Sequence, residues 1–307
     1  MAIKSYKGFD KNLRCRDFQY KIGGIYEMDG EIKVCNRGFH ACESPFDVFD
    51  YYTMIDSRFC EVEQDGNISK EDRGTKICSS KIKIKAELKL ADMINLGIEW
   101  LKEITLPEKI KTSIKDNSSG NYAQIGSSGD DAKIGSSGDG AKISSSGYDA
   151  KISSSGYDAK IGSSGDGAQI GSSGDDAQIG SSGYDAKIGS SGDGAQIGSS
   201  GYDAKIGSSG DGAQIGSSGN NAKIGSSGNN AKIDSTGKDC VIMCAGINSV
   251  AKASKGSWIT LSEWSYSEGK QRYIPICVKT EFVDGEKIKA DTYYSLKGGV
   301  FVEWIND

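Results

Sequence analysis

From Ala123 to Asp239 the chain repeats one pattern of apolar and polar positions every nine residues: AQIGSSGDD, AKIGSSGDG, AKISSSGYD, and so on to AKIDSTGKD. Alanine recurs from Ala123 to Ala231, isoleucine two residues after each alanine, and glycine at every ninth position from Gly120 to Gly237. A single nonapeptide cannot bury anything alone, so a fixed short period marks a stacked array. Side chains alternate across a strand, which puts Ala and Ile on one face and the intervening Lys or Gln on the other. The Ser-Ser-Gly-x-x remainder has the composition of a turn. Each repeat therefore predicts a three-residue strand and a corner, and two repeats make one coil of eighteen residues. Thirteen repeats give about six and a half coils. The pattern fades beyond Asp239 without breaking: Cys240, Ser249 and Trp258 continue the alanine column, and Ile242, Ala251 and Thr260 the isoleucine column.

The flanks carry other periodicities. Ser44-Pro45-Phe46-Asp47 predicts a helix start, with Ser44 as the cap, Pro45 in the first turn and Asp47 near the positive end of the dipole. Phe59–Glu63 and Lys81–Lys85 alternate as strands. Leu90 to Ile104 predicts an amphipathic helix with Ile94, Ile98 and Leu101 on one side. Strands at Ile274–Phe282 and Val300–Trp304, with turns at Asp284-Gly285 and Gly298-Gly299, predict a small meander. The expected protein is thus mainly β: an N-terminal α+β domain over 1–112, a nonapeptide-repeat β-solenoid over 113–264, and a C-terminal β cap over 265–307.

Composition and charge remove several function classes. The low apolar content, 36%, comes from the Ser/Gly corners and does not signal disorder, since the Ala and Ile columns are regular. No run is long and apolar enough to span a membrane, and MAIKSYKGF lacks the apolar stretch of a secretory signal. Eight cysteines without a C-x-x-C, and a single histidine, His40, two residues from Cys42, point to reduced thiols, a cytoplasmic setting and no zinc centre. The repeat region 121–238 carries 13 Asp and 9 Lys, a net of −4, which does not describe a general nucleic-acid binder.

KGFDKNLRCRDFQYKIGGIY, CNRGFHACESPFDVFDYY and RFCEVEQDG, followed by the repeats and by GSWITLSEW and VDGEKIKADTYYSL, resemble an uncharacterised family of phage and bacterial proteins. That resemblance implies a phage-associated protein in the host cytoplasm and transfers no activity. Gly38-Phe39-His40-Ala41, a helix ending in Tyr51-Tyr52, and the strand at Cys60–Glu63 are also similar to an ADP-ribosyltransferase module. Histidine-type members of that fold place a His near the first strand, where this chain has Lys7-Gly8-Phe9, and the late catalytic Glu has no counterpart. The resemblance implies a nucleotide pocket lined by His40, Tyr51 and Tyr52; the plain alternative is a hydrogen-bonded structural histidine and two packing tyrosines.

Two further candidates lie in the repeat. Asp131, Asp149, Asp158, Asp176, Asp185 and Asp203 fall where calcium-binding nonapeptides carry Asp, but Gly140, Gly167, Gly194 and Gly212 interrupt the column, and calcium needs six to eight oxygens. With eighteen-residue coils, Lys133, Lys151, Gln169, Lys187, Lys205 and Lys223 share one face, beside a corner bearing Tyr148, Tyr184 and Tyr202. Such a ladder can grip an anionic ligand, a nucleic-acid strand or an acidic protein; equally, lysine protects flat sheets from aggregation. The function expected is non-enzymatic binding that inhibits or sequesters a host defence factor, with the solenoid as scaffold or contact surface. A host protein is the expected partner, ahead of nucleic acid, with no cofactor, metal or membrane. Self-association would run through the cap or the N-terminal domain.

Overall fold

A computed structural model describes residues 2–71, 74–105, 117–118 and 120–305. The chain divides into two compact units, Met1–Trp100 and Leu101–Asp307, so the C-terminal hairpins belong with the solenoid.

The N-terminal unit is β-rich. Five strands order as Ile25–Glu27, Lys76–Leu88, Phe39–Cys42, Ile3–Phe9 and Arg58–Lys70, all antiparallel, and Lys76–Leu88 also pairs with Arg58–Lys70. The sheet therefore closes on itself. Inside lie Phe9, Phe39, Cys60, Val62, Ile82 and Ile84. The predicted helix over Leu90–Ile104 is present, with Ile94, Ile98 and Leu101 buried as their spacing requires. The helix predicted after Ser44 is a five-residue 3-10 turn, Phe46–Asp50, in which Ser44 Oγ accepts the Asp47 N–H at 3.3 Å.

In the second unit, strands of four residues recur every nine, from Gln124–Ser127 to Lys232–Ser235. Alternate strands pair in parallel and in register at spacing eighteen, Ile188 on Ile206 on Ile224 in one sheet and Ile179 on Ile197 on Ile215 in the other. The result is a β-solenoid of about 8 turns of ~18 residues between 124 and 261. The turns beyond the thirteen repeats are built by the faded pattern, which keeps Cys240, Ile242, Cys244 and Ala251 buried in the old columns. The last step is one residue short, so Ile259 and not Thr260 stacks on Ile242, and Trp258 faces outward.

The strand begins one residue later than the sequence predicts, at the Lys or Gln after each Ala, and runs two residues further, to the first serine, which adds a third inward column. The first serine of Ser-Ser-Gly is still strand, so it points inward like Ala and Ile. Ser163, Ser181, Ser199 and Ser235 are fully buried. The turn proper begins at the second serine.

Two geometric demands select the corner residues. The ninth position is left-handed in every repeat: Asp149 at φ 51°, Asp185 at 51°, Asn221 at 58°, Gly194 at 67°. Gly, Asn and Asp tolerate that conformation best, so Asp and Gly exchange there for a backbone reason, which accounts for the interrupted Asp column. The eighth position stitches successive coils together. Asp166 Oδ1 accepts the Tyr184 N–H at 2.8 Å, Asp193 the Asp211 N–H at 2.8 Å, and Asn229 the Ile247 N–H at 2.9 Å.

The two sheets end in antiparallel pairs, Trp258–Ser267 with Arg272–Phe282 in one and Tyr294–Lys297 with Val300–Glu303 in the other. Leu261, Val283, Ile288, Tyr294 and Leu296 continue the solenoid core beneath them. Large side chains thus cover the last coil, as a terminal repeat must. No helix among the described residues is long and apolar enough to cross a membrane.

Candidate functional site

The deepest chemistry lies in the N-terminal unit, at a cleft of about 960 Å³ lined by residues from the first strand, the Cys15–Glu27 stretch, the His40 strand and the Tyr51–Tyr52 segment. The first strand lies between the Phe39–Cys42 and Arg58–Lys70 strands and projects Lys7 into it. Lys7 is only 4% exposed. Its Nζ donates to the His40 carbonyl at 2.9 Å and to Cys15 Sγ at 3.5 Å, and it stands 5.4 Å and 5.7 Å from the centroids of the Phe9 and Tyr20 rings. No carboxylate contacts it among the described residues. Burial pulls its ammonium below the ordinary lysine value, against a smaller opposing effect from Cys15. A buried ammonium without a counter-ion costs several kcal/mol unless something else compensates it.

Tyr52 lies across the backbone of the next residue. A Cβ on Gly8 would fall 2.4 Å from the Tyr52 ring, so the glycine is what lets the ring lie there. The Tyr52 hydroxyl donates to Cys15 Sγ at 3.0 Å. Burial first, and then that hydrogen bond, hold Tyr52 well above the ordinary tyrosine value. Lys7, Cys15 and Tyr52 therefore form a connected set at the cleft wall.

His40 also lines the cleft and is half-buried. Its Nε2 accepts the Cys35 N–H at 3.0 Å. Desolvation, and then the charges of Lys7 and Lys76, hold it below the ordinary value of 6.5, so it is a neutral acceptor at pH 7. Tyr51 is exposed and carries Lys76 Nζ 4.4 Å above its ring, while Lys76 also donates to Cys35 Sγ at 3.2 Å. Tyr20 and Tyr26 pack edge to face at 5.0 Å on the other side. The wall is thus aromatic, with Lys7, Arg16 and Lys76 as cations against Asp17 and Glu27.

The structure places His40, Tyr51 and Tyr52 along one cleft. The residues that sequence reasoning passed over are Cys15 and Lys7, the latter noted only where a His was wanted. A lysine inside a strand whose neighbours are all buried was the available signal.

The lysine ladder is real as geometry. Lys187, Lys205 and Lys223 pair in register along one sheet. With Lys133, Lys151 and Gln169 they line a shallow groove of about 840 Å³ floored by Gly171, Gly189 and Gly207. Tyr184 and Tyr202 stack at 5.7 Å and 15°, whereas Tyr148 is separated from Tyr184 by the Asp166 corner. The opposite sheet offers no matching open row at its middle, where Lys160 is 9% and Gln178 3% exposed. The ladder lysines carry no buried group and no enclosing wall. The N-terminal cleft has both.

A model of a domain family of unknown function, DUF7666, matches residues 3–96. The match ends before the repeats begin and contains Lys7, Cys15, His40, Tyr51 and Tyr52. No curated protein and no solved structure matches the chain.

Proposed function

We propose that this is a binding protein whose N-terminal cleft holds a small ligand combining a flat ring with an anionic group, a nucleotide or a close chemical relative, while the solenoid serves as scaffold. The observation that carries this reading is Lys7, a buried ammonium facing an aromatic cleft with no carboxylate among the described residues to neutralise it. An anionic ligand group supplies the missing charge, with Arg16 and Lys76 beside it, and the tyrosines offer faces for a ring. The phage affiliation that the family resemblance implies makes sequestration of a host molecule the setting in which such binding matters.

Calorimetric titration of the full chain with AMP, ADP, NAD⁺, adenosine and inorganic phosphate tests this. Saturable one-to-one binding of the nucleotides, weaker for adenosine and phosphate alone, supports it. No heat from any of them at millimolar concentration overturns it. Because His40, Tyr51 and Tyr52 share the cleft, a second reading as an ADP-ribosyltransferase-like enzyme has its own signature: nicotinamide released from NAD⁺ and lost on His40→Ala.

A further inference from the structure

We propose that Lys7 is a reactive amine that captures carbonyl compounds, so that the cleft holds aldehyde-bearing anionic ligands covalently as an imine. The inference rests on the reading above only for the ring and anion contacts; the chemistry of Lys7 stands on its own geometry. Three features set this lysine apart. It lines an aromatic cleft while almost wholly buried. Among the described residues its Nζ contacts are a backbone carbonyl, a thiol and two ring faces, with no carboxylate to lock it as a cation. And it sits next to a proton relay, since Tyr52 Oη donates to the same Cys15 Sγ that Lys7 approaches. Desolvation raises the share of neutral amine above that of an ordinary lysine, and that share carries the free lone pair, by the same means that activate lysine nucleophiles generally.

The step balances without an outside oxidant or reductant. The nitrogen lone pair adds to the carbonyl carbon and the C=O π pair moves to oxygen, which takes up a proton. Nitrogen gives up its two protons in turn by way of Cys15, the first as the carbinolamine forms and the second as the C=N bond forms. The carbinolamine hydroxyl, protonated through the Tyr52–Cys15 relay, leaves as water as the C=N bond forms. Amine plus aldehyde gives imine plus water. The charges of Arg16 and Lys76 fit this reaction to a substrate bearing a phosphate or carboxylate.

Pyridoxal 5′-phosphate carries a ring, an aldehyde and a phosphate, and is the probe. The full chain is mixed with an equimolar amount at pH 7, reduced with borohydride, digested and mapped by mass spectrometry. The expected result is that Lys7 carries most of the label, ahead of exposed lysines such as Lys187, Lys205 and Lys223. Label on those lysines with Lys7 unmodified overturns the proposal. Tyr52→Phe is expected to slow labelling at Lys7 several-fold and leave Lys205 unchanged; equal rates at Lys7 remove the relay. AMP in excess separates the two readings. If AMP binds by calorimetry but no Lys7 adduct forms, the amine proposal fails and the nucleotide reading stands. If the adduct forms and AMP neither binds nor competes, the reverse holds.

Discussion

Gly201 and Gly207 lie six residues apart, and adding the same methyl group to each should move stability in opposite directions. Gly201 is the invariant corner glycine, with no unusual φ, so its requirement is steric. A Cβ there would fall 1.9 Å from the carbonyl oxygen of Gly183 in the coil below. To restore even a 3.0 Å contact, the shortest that real side chains tolerate, the two corners must part by about 1.1 Å. The bonds joining those corners include Ser200 N–H to Ser181 O at 3.0 Å and Asp185 N–H to Tyr202 O at 2.9 Å. Stretched by that amount they cease to be hydrogen bonds. Two lost bonds at about 1 kcal/mol each, with an overpacking strain of about 1–3 kcal/mol, predict a loss of about 3–5 kcal/mol for Gly201→Ala. Gly207 faces outward from mid-strand, and a Cβ there meets nothing within 4 Å. Replacing a flexible strand glycine by alanine should stabilise by about 0.5–1 kcal/mol. Urea unfolding of both variants in the full chain, followed by the β-strand circular dichroism signal, measures the difference. Two variants within about 1 kcal/mol of each other would refute the stacked-corner argument.

Lys7→Met should stabilise the protein at pH 7 by about 1–3 kcal/mol, because an apolar side chain replaces an unpaired buried charge. The sign follows from linkage: the native state holds Lys7 below its unfolded value of 10.5, so wild-type stability rises as pH climbs toward 10.5 and the variant's advantage shrinks, as pH-dependent denaturation will show. His40 is likewise held below 6.5 in the native state, so its contribution to stability is lost as pH falls beneath about 6.5, and His40→Gln should flatten that slope between pH 6.5 and 5. Asp193→Ala leaves the Asp211 N–H without its acceptor and should cost about 0.5–1.5 kcal/mol, whereas Asp193→Asn should restore most of it, since Asn220 and Asn229 already make the same bond; thermal melts of the two variants decide this.

The Ala and Ile columns were legible because a period of two within each nonapeptide has only one structural reading, and the terminal helix because Ile94, Ile98 and Leu101 recur at helical spacing. The serine column was not, since serine beside glycine suggests a turn, and only the continued strand shows that Ser163 or Ser199 points inward. The corner's ninth position looked like an incomplete set of metal ligands until its positive φ showed why Asp, Asn and Gly exchange. In the N-terminal unit, Lys7, Cys15 and Tyr52 are separated by up to 45 residues and meet only because the sheet closes. No local pattern in the chain encodes that meeting. His40, Tyr51 and Tyr52, singled out in the sequence, line the same cleft as Lys7, but nothing in their spacing pointed to that amine.

Two repeats per turn also govern how this molecule can change length. Each nonapeptide advances the chain by half a turn, so inserting or deleting eighteen residues anywhere in the array returns every downstream strand to its own sheet. The lysine row grows or shrinks by one rung, and the cap meets the same edges as before. An odd number of repeats does something different. Everything downstream changes sides together with the cap, whose partners Val241–Cys244 and Val250–Ala253 move with it, and the Lys187 row is spliced onto the sheet that carries Gln178. Near-identical repeats invite slippage when the gene is copied, and the coil geometry sorts the products: even steps keep each outward row continuous, while odd steps join a row of one sheet to a row of the other. The solenoid is a ruler whose two faces stay matched only when it is recut at every second mark.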